Sequence, residues 1–270
     1  MKFLEIDCEL AHKILTQFIK DQTQAAGYSR VIIGLSGGLD STLAAYLAAE
    51  ALGKENCIGV FMPHTISDPA SLRDAQTVAQ RLGIRTRRVD ISPLVDSFRQ
   101  ALPEITALQL GNVMARVRMI VLYQVSAEEK ALIVGTSNKS EILLGYGTLH
   151  GDLACAFNPL GDLYKTQIRD LAKHLQVPEE IQRKAPSADL WEGQSDEGEL
   201  GITYAEADRF LVRWVDKGYT RDQLIKEGFA ADFADRVVAK VISQQFKGML
   251  PPIAKISGSA DSAKPLTWPK

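Results

Sequence analysis

Residues 31–41 read "VIIGLSGGLDS" and continue into "TLAAYLAAEALG" at 42–53. The apolar run is typical of a buried strand, and the alanine-rich run is typical of a helix. A glycine-rich loop between a strand and a helix usually binds phosphate, because backbone N–H groups and the positive end of the helix dipole face the anion. The loop lacks the lysine of the common G-x-x-x-x-G-K-[ST] motif, so it predicts a different phosphate chemistry.

Strand-like and helix-like segments alternate on both sides of this loop. The predicted strands are "RVIIGL" at 30–35, "CIGVFMP" at 57–63, "RTRRVDI" at 85–91 and "ALIVGT" at 131–136. This alternation predicts an α/β fold: a doubly wound parallel sheet with helices on both faces. Ligands of such folds bind beyond the carboxyl ends of the strands, where the glycine-rich loop begins.

We expect one domain over residues 1–270. It would comprise an N-terminal helix (1–29), the α/β core (30–163), a helical C-terminal extension (164–252) and a flexible tail (253–270). Within the extension, residues 186–204 are polar and lack helical periodicity, which predicts a mobile lid.

Composition excludes several classes of function. The 270 residues are 46% hydrophobic and carry a formal net charge of −2, so no global field favours nucleic acid or an anionic membrane. Cys8, Cys57 and Cys155 are too far apart for a CxxC redox or zinc motif. No apolar run approaches the ~20 residues of a membrane span, and acids interrupt the N-terminal segment, unlike a signal peptide. We therefore expect a cytoplasmic protein without nucleic-acid or membrane partners.

The residue types of the loop indicate a nucleotide with a divalent cation. Gly37 and Gly38 allow the backbone to approach an anion, and Ser36 and Ser41 can donate hydroxyl hydrogen bonds to it. Asp40 would repel phosphates unless a cation lay between them, which suggests Mg²⁺. The alternative is a plain turn in which Asp40 caps the following helix.

This loop resembles that of the N-type ATP pyrophosphatases, which split ATP between the α and β phosphates to adenylate a carbonyl or carboxylate. Three further stretches follow in order: "GNVMARVRMIVLY" (111–123), "VGTSNKSEILLGYGTLHGD" (134–152) and "PSADLWEGQSDEGELGITY" (186–204). Together, over roughly residues 33–252, they resemble NAD synthetase of the ammonia-dependent type, an enzyme that amidates deamido-NAD. The resemblance implies an adenine nucleotide alpha-hydrolase-like, Rossmann-like fold.

The resemblance also implies roles for individual residues. The residues implied to bind ATP are Gly34, Leu35, Ser36, Gly37, Gly38, Leu39, Asp40, Ser41, Thr136, Lys165 and Ser187. Asp40 and Glu141 would hold Mg²⁺, and Asn112, Arg116 and Lys247 would bind deamido-NAD. Asp152 and Lys165 would be the catalytic residues. Lys165 would stabilise charge on the phosphates and Asp152 would accept a proton from ammonium.

Simpler roles stay open for several of these residues. Arg116 can be a surface charge, Glu141 a first-turn helix acid and Lys247 a solvated charge near the tail. Ser187 can cap a turn. Asp152 can be a turn residue after a glycine.

The chain departs from the family pattern at four positions. Leu149, Ala156 and Phe246 stand where many ammonia-using members have a lysine, an aspartate and a histidine, and Gly248 stands where they have a basic residue. We also expect too little chain before the first strand for a glutaminase domain, so the nitrogen would come from free ammonia or from a separate glutaminase subunit. The family is typically homodimeric, and the apolar face of residues 113–123 is a candidate interface, although a core helix would look the same.

Two alternatives remain open at this stage. One is a tRNA-modifying ATP pyrophosphatase, for which a basic face and paired cysteines would be expected. The other is a catalytically altered nucleotide-binding module that needs a separate glutaminase partner.

Overall fold

The computed structural model describes residues 3–187, 189–191 and 193–254. Its sheet contains β1 (Val31–Gly34), β2 (Cys57–Phe61), β3 (Arg85–Arg88) and β4 (Leu132–Ile133). The strand order is β3-β2-β1-β4, and every neighbouring pair is parallel. The expected parallel sheet is therefore confirmed.

Helices connect the strands and form the C-terminal part of the described chain. Those before β4 are α1 (Cys8–Ala25), α2 (Leu39–Leu52), α3 (Pro69–Leu82), α4 (Ser92–Ala101) and α5 (Ala107–Glu129). Those after β4 are α6 (Lys139–Leu144), α7 (Lys165–His174), α8 (Glu179–Arg183), α9 (Asp196–Leu200), α10 (Tyr204–Leu211), α11 (Arg221–Lys226) and α12 (Ala231–Gln244). None of the helices in the described ranges combines the length and apolar character that a membrane crossing requires.

Helices cover both faces of the sheet because side chains alternate along each strand. Val31 and Ile33 pack into a core with α1, α2, α3 and α7, whereas Ile32, Ile58 and Val60 pack into a second core with α4 and α5. These five strand residues are almost fully buried. The doubly wound arrangement is therefore confirmed.

The strand order creates a switch point between β1 and β4. The chain runs from β1 outward to β3 and then crosses to β4 on the other side of β1. Beyond β4, a single parallel bridge joins Val134 to Phe157. A crevice at the carboxyl ends of β1 and β4 is the usual ligand site of such a sheet.

The C-terminal helices enclose a third core. It includes Tyr204 and Phe210 of α10 and Phe233 of α12, together with Leu144 of α6. Phe210 contacts Phe233 edge to face, with ring centroids 5.6 Å apart. Because Leu144 belongs to this core, the C-terminal helices are packed directly against α6.

Three elements differ from the sequence-based expectations. The run "NVMARVRMIVLYQVSAEEK" predicts a long helix over 112–130, but helix α5 begins at Ala107, because Thr106 and Gln109 form a capping box. Strand β4 has two residues rather than six. The expected lid contains α9, whose first turn is capped by Ser195. Most of the expected tail lies outside the described residues.

The glycine-rich loop is packed so closely that Gly37 should not tolerate a side chain. Gly37 has φ +78°, and a Cβ on it would lie 2.1 Å from the Ser71 carbonyl oxygen. Gly27 also has φ +78°, but nothing lies within 4 Å of its Cβ position.

We predict that Gly27→Ala lowers the free energy of unfolding by about 1 kcal/mol, the cost of a left-handed residue. Gly37→Ala should cost ~2 kcal/mol more, because the Ser71 backbone must also move.

Urea denaturation of both variants measures this difference. Equal losses for the two variants would contradict the close packing of Gly37 against α3.

Candidate functional site

The glycine-rich loop, residues 34–41, presents backbone and hydroxyl groups at the carboxyl end of β1. Ser36 Oγ accepts the Gly38 N–H at 3.1 Å and lies 3.0 Å from Ser41 Oγ. Gly38 is the residue before α2, so Asp40 lies inside the first turn and is not the helix cap. The side chains of Leu35 and Leu39 are buried in the core, and the Leu35 N–H donates to the Val60 carbonyl at 3.0 Å, so neither side chain is available to a ligand.

A buried ammonium group joins the loop to two later elements. Lys165, the first residue of α7, is 4% exposed. Its Nζ donates to Asp40 Oδ2 and, at 3.2 Å, to Glu141 Oε1. It also lies 5.4 Å from the centre of the Tyr204 ring. The structure thus brings together the two expected metal ligands and the expected catalytic lysine.

Asn138 is a site residue that we did not identify from the sequence. It is fully buried, and its Nδ2 donates to Asp40 Oδ1 at 3.0 Å. Its Oδ1 accepts the Glu141 N–H at 3.0 Å, and Glu141 Oε2 accepts the Asn138 N–H at 3.3 Å, which is a capping box at the start of α6. The N-x-x-E spacing in "SNKSE" is the signal that would have found it.

Burial and charge act in opposite directions on the Lys165 cluster, Asp40, Glu141 and Lys165. Burial alone would lower the pKa of Lys165, but the neighbouring carboxylates outweigh it and raise that pKa. Burial raises the pKa of Glu141 to about 7, although Lys165 counteracts part of that rise. The ammonium therefore stays charged, and two carboxylates share a single compensating cation.

A second group of side chains surrounds Asp152. Asp152 Oδ1 accepts the Thr148 N–H at 2.8 Å, and Thr148 Oγ1 donates to Asn112 Oδ1 at 2.8 Å. Asp152 is exposed to solvent. The surrounding protein still removes enough water from its carboxyl to raise its pKa. Lys247 Nζ donates to the Gly145 and Gly147 carbonyls at 2.8 and 3.0 Å. Lys247 is therefore held at the end of α6 and is not a solvated tail charge.

Helix α6 links the two groups. Glu141 lies in its first turn, and the carbonyls bound by Lys247 follow its last residue. Next to it, the Tyr146 hydroxyl and Asp196 Oδ1 are buried without a hydrogen-bond partner among the described residues. Unpaired buried polar atoms are costly, so these atoms are suited to meet a bound molecule or water.

Among the described residues, no hydrogen bond or ion pair joins Thr136, Arg116 or Ser187 to the Lys165 cluster or to Asp152. Thr136 follows β4 and is half-buried. Arg116 is exposed on α5. Ser187 Oγ accepts the Asp189 N–H at 3.1 Å, which is the turn-capping role left open by the sequence. Ala156 and Phe246, two of the departures, are exposed.

Arg118 holds the loop after β2 against α5. Its Nε donates to the Met62 carbonyl at 3.2 Å, and its Nη2 donates to Ser67 Oγ at 3.3 Å. Desolvation lowers its pKa, and the charges of Asp189 and Asp152 counteract that effect. Arg118 therefore organises the rim of the crevice, while Arg116 on the same helix faces outward.

This arrangement suits chemistry on a phosphate ester. The positive end of the α2 dipole lies at this loop and is suited to an anion, and Lys165 supplies a positive charge next to it. Among the described residues, no group of three or more His, Cys, Asp or Glu side chains could hold a metal ion. Asp40 and Glu141 nevertheless fit Mg²⁺, which proteins commonly hold by one or two carboxylates together with substrate phosphates and waters.

Comparison with known proteins shows the family to which the chain is related. Residues 11–251 match the family model described as NAD synthase. The chain is 48% identical to the NH(3)-dependent NAD(+) synthetase of Pelodictyon phaeoclathratiforme, over 94% of this chain and 92% of the relative.

Two solved structures have the same fold. One is NMN synthetase from Francisella tularensis (TM-score 0.83, 30% identity, 93% of this chain and 100% of that one). The other is NH3-dependent NAD synthetase from Campylobacter jejuni in complex with nitrate (TM-score 0.80, 34% identity, 93% and 100%). These matches confirm the resemblance seen in the motifs and do not support the tRNA-modifying alternative. Because the family model covers residues 11–251 and the relative from Pelodictyon phaeoclathratiforme is 48% identical over 94% of this chain, the chain belongs to the NAD synthase family.

Proposed function

We propose that the protein catalyses the ATP-dependent amidation of deamido-NAD by ammonia, which yields NAD, AMP and pyrophosphate. The observation that carries this proposal is the 48% sequence identity, over 94% of this chain, to a relative named NH(3)-dependent NAD(+) synthetase. The Lys165 cluster at the carboxyl ends of β1 and β4 supports it, because family members use ATP and this cluster, with a divalent cation on its carboxylates, would suit the triphosphate.

The proposed reaction has two steps. A carboxylate oxygen of deamido-NAD attacks the α-phosphorus of ATP, and the bond between that phosphorus and the bridging oxygen breaks to release pyrophosphate. Ammonia then attacks the acyl carbon, and AMP leaves. Lys165 would stabilise the charge that develops on the phosphates in the first step. Asp152, whose raised pKa makes its carboxylate a stronger base, would accept a proton from ammonium in the second step.

We propose that Asp40 and Glu141 hold Mg²⁺ when the nucleotide is bound. The ion would neutralise phosphate charge next to the two carboxylates. Lys165 contacts both carboxylates, so its positive charge would act next to the ion and the phosphates.

Residues 186–204 would act as a lid over the nucleotide, which protects the adenylate from water. In support, Asp196 of α9 is 4% exposed and accepts the Tyr204 hydroxyl at 3.3 Å, and Tyr204 packs beside Lys165.

Two observations favour a second substrate, nicotinic acid mononucleotide. A solved relative is named NMN synthetase. In addition, Leu149, Ala156 and Phe246 are uncharged where many members carry groups implied to contact deamido-NAD. Loss of such contacts would weaken the binding of nicotinic acid mononucleotide less, because it is smaller than deamido-NAD.

We also propose a homodimer that buries the outer face of α5. Leu108, Ile120 and Tyr123 are 60%, 56% and 47% exposed on that helix, and Arg116 shares its exposed side. A second copy that covers this face would place Arg116 at an interface, where it could reach a shared substrate.

The first prediction concerns the reaction itself. Deamido-NAD, ATP and Mg²⁺ should give NAD and AMP in equal amounts with ammonium and none with glutamine alone. Parallel reactions with nicotinic acid mononucleotide decide the substrate by the larger kcat/KM. AMP without amide in any reaction would contradict the proposed function, and ATP binding without turnover would indicate the altered nucleotide-binding module.

The second prediction concerns the metal ligands. Lys165→Met should tighten Mn²⁺ binding to the nucleotide-free protein at pH 8 by about 10-fold or more, because a competing buried ammonium is removed. The same variant should lower NAD formation at least ~100-fold. Electron paramagnetic resonance of free Mn²⁺ measures the binding directly.

Lys139→Met is the matched control. Lys139 Nζ also contacts two carboxylates, Asp162 and Asp216, each at 2.9 Å, but Asp162 is 96% exposed. The Lys139→Met variant should gain no Mn²⁺ site. Unchanged Mn²⁺ binding by Lys165→Met would contradict the assignment of Asp40 and Glu141 as metal ligands.

The third prediction concerns the dimer. Ile120→Asp should weaken dimerisation at least ~100-fold, because it would bury an unpaired charge. Ile14→Asp changes a residue of α1 with 57% exposure and should leave the dimer intact. Sedimentation equilibrium tests both, and a monomeric wild-type protein would contradict the proposal.

A further inference from the structure

Asp208 is a buried carboxylate to which the proposed reaction assigns no role. It lies on α10 and is 0% exposed. Its Oδ1 accepts the Ser140 hydroxyl at 2.5 Å, and its Oδ2 accepts the Thr166 N–H at 2.8 Å. Burial of a carboxylate is unfavourable unless hydrogen bonds compensate it. Both of its oxygens are used, and both bind residues next to the Lys165 cluster.

Ser140 extends this contact to a third backbone group. It is fully buried on α6, and its Oγ accepts the Lys165 N–H at 2.9 Å while its hydroxyl proton goes to Asp208. The first N–H groups of a helix lack partners within the helix. Asp208 therefore satisfies the start of α7 twice, directly at Thr166 and through Ser140 at Lys165. Its negative charge also suits the positive end of that helix.

The two hydrogen bonds of Asp208 go to the chain neighbours of the two charged residues Glu141 and Lys165. Ser140 precedes Glu141 in the chain, and Thr166 follows Lys165. One carboxylate thus ties the backbone of the helix that carries Glu141 to the backbone of the helix that carries Lys165. Separation of the two helix starts would break at least one of these hydrogen bonds.

The same helix also reaches the end of the lid. Tyr204 lies one turn before Asp208 on α10 and packs beside Lys165. Its hydroxyl donates to Asp196 on α9 at 3.3 Å. A shift of α10 would therefore move the ring beside Lys165 together with the attachment of the lid.

We propose that Asp208 is a positioning residue that, through Ser140 and Thr166, sets the relative placement of Glu141 and Lys165 for binding of metal and nucleotide. This inference rests on the proposed function of the Lys165 cluster as the nucleotide site. Asp208 contacts neither of the two charged groups itself, so its effect is transmitted through the backbone.

The test compares Ser140→Ala and Asp208→Asn with Thr23→Val. Thr23 is fully buried on α1, and its hydroxyl donates to the Ile19 carbonyl at 2.7 Å, so this control also loses a buried hydroxyl hydrogen bond. Thermal unfolding, Mn²⁺ affinity in the presence of ATP, kcat and KM for deamido-NAD are measured for each variant.

Ser140→Ala and Asp208→Asn should each weaken Mn²⁺–ATP binding and lower kcat by about 10- to 100-fold, the range typical for loss of a supporting hydrogen bond around a metal site. The KM for deamido-NAD should stay within about twofold. Thr23→Val should lower the melting temperature and leave the Mn²⁺–ATP affinity, kcat and KM unchanged. The double variant Ser140→Ala, Asp208→Asn should bind Mn²⁺–ATP no more weakly than the worse single variant, because both act through one link.

Two results would overturn the proposal. One is a Ser140→Ala protein that loses melting temperature but keeps Mn²⁺–ATP affinity and kcat within twofold. The other is a double variant whose losses add. Ser140→Ala alone decides the matter if Asp208→Asn does not fold. If the wild-type protein makes no NAD from deamido-NAD, the proposed function fails, yet the Mn²⁺–ATP affinities still report on Asp208.

Discussion

The structure depends on one electrostatic constraint, the burial of the Lys165 ammonium between two carboxylates. An ammonium group taken out of water is stable only if nearby negative charge and hydrogen bonds replace the water. Asp40 reaches it from the loop after β1, and Glu141 reaches it from the helix after β4. The adjacency of β1 and β4 in the sheet makes this possible, because their carboxyl ends open into the same crevice.

The polar residues around this cluster act as a scaffold. Asn138 binds Asp40 and also caps the helix that carries Glu141. Asp208 joins that helix to the start of α7. The cluster is thus held by hydrogen bonds to backbone groups that are fixed in helices, and such support limits the movement of a site. Two polar atoms, the Tyr146 hydroxyl oxygen and Asp196 Oδ1, are exceptions, because both are buried without a hydrogen-bond partner among the described residues.

Much of the candidate site could be predicted from the sequence. Asp40, Glu141 and Lys165 were all expected near one nucleotide, and they are in contact. Asn138 could have been found from its capping-box spacing, which is a local signal. Asp208 could not, because its partner Ser140 is 68 residues away and a buried carboxylate on an amphipathic helix has no distinctive local pattern. The start of α5 was misplaced because its apolar periodicity begins after its capping box.

The sequence by itself determined the local units: an apolar strand, a glycine-rich loop and an alanine-rich helix, repeated as alternating strands and helices. Side-chain periodicity and the conformational freedom of glycine are properties of neighbouring residues, so they can be read along the chain. Only the tertiary structure decided that the carboxylates of Asp40 and Glu141 share the ammonium group of Lys165. Lys165 lies 125 residues from Asp40 and 24 from Glu141. Their contact follows from strand order and helix packing, which arise because distant apolar faces must be buried together.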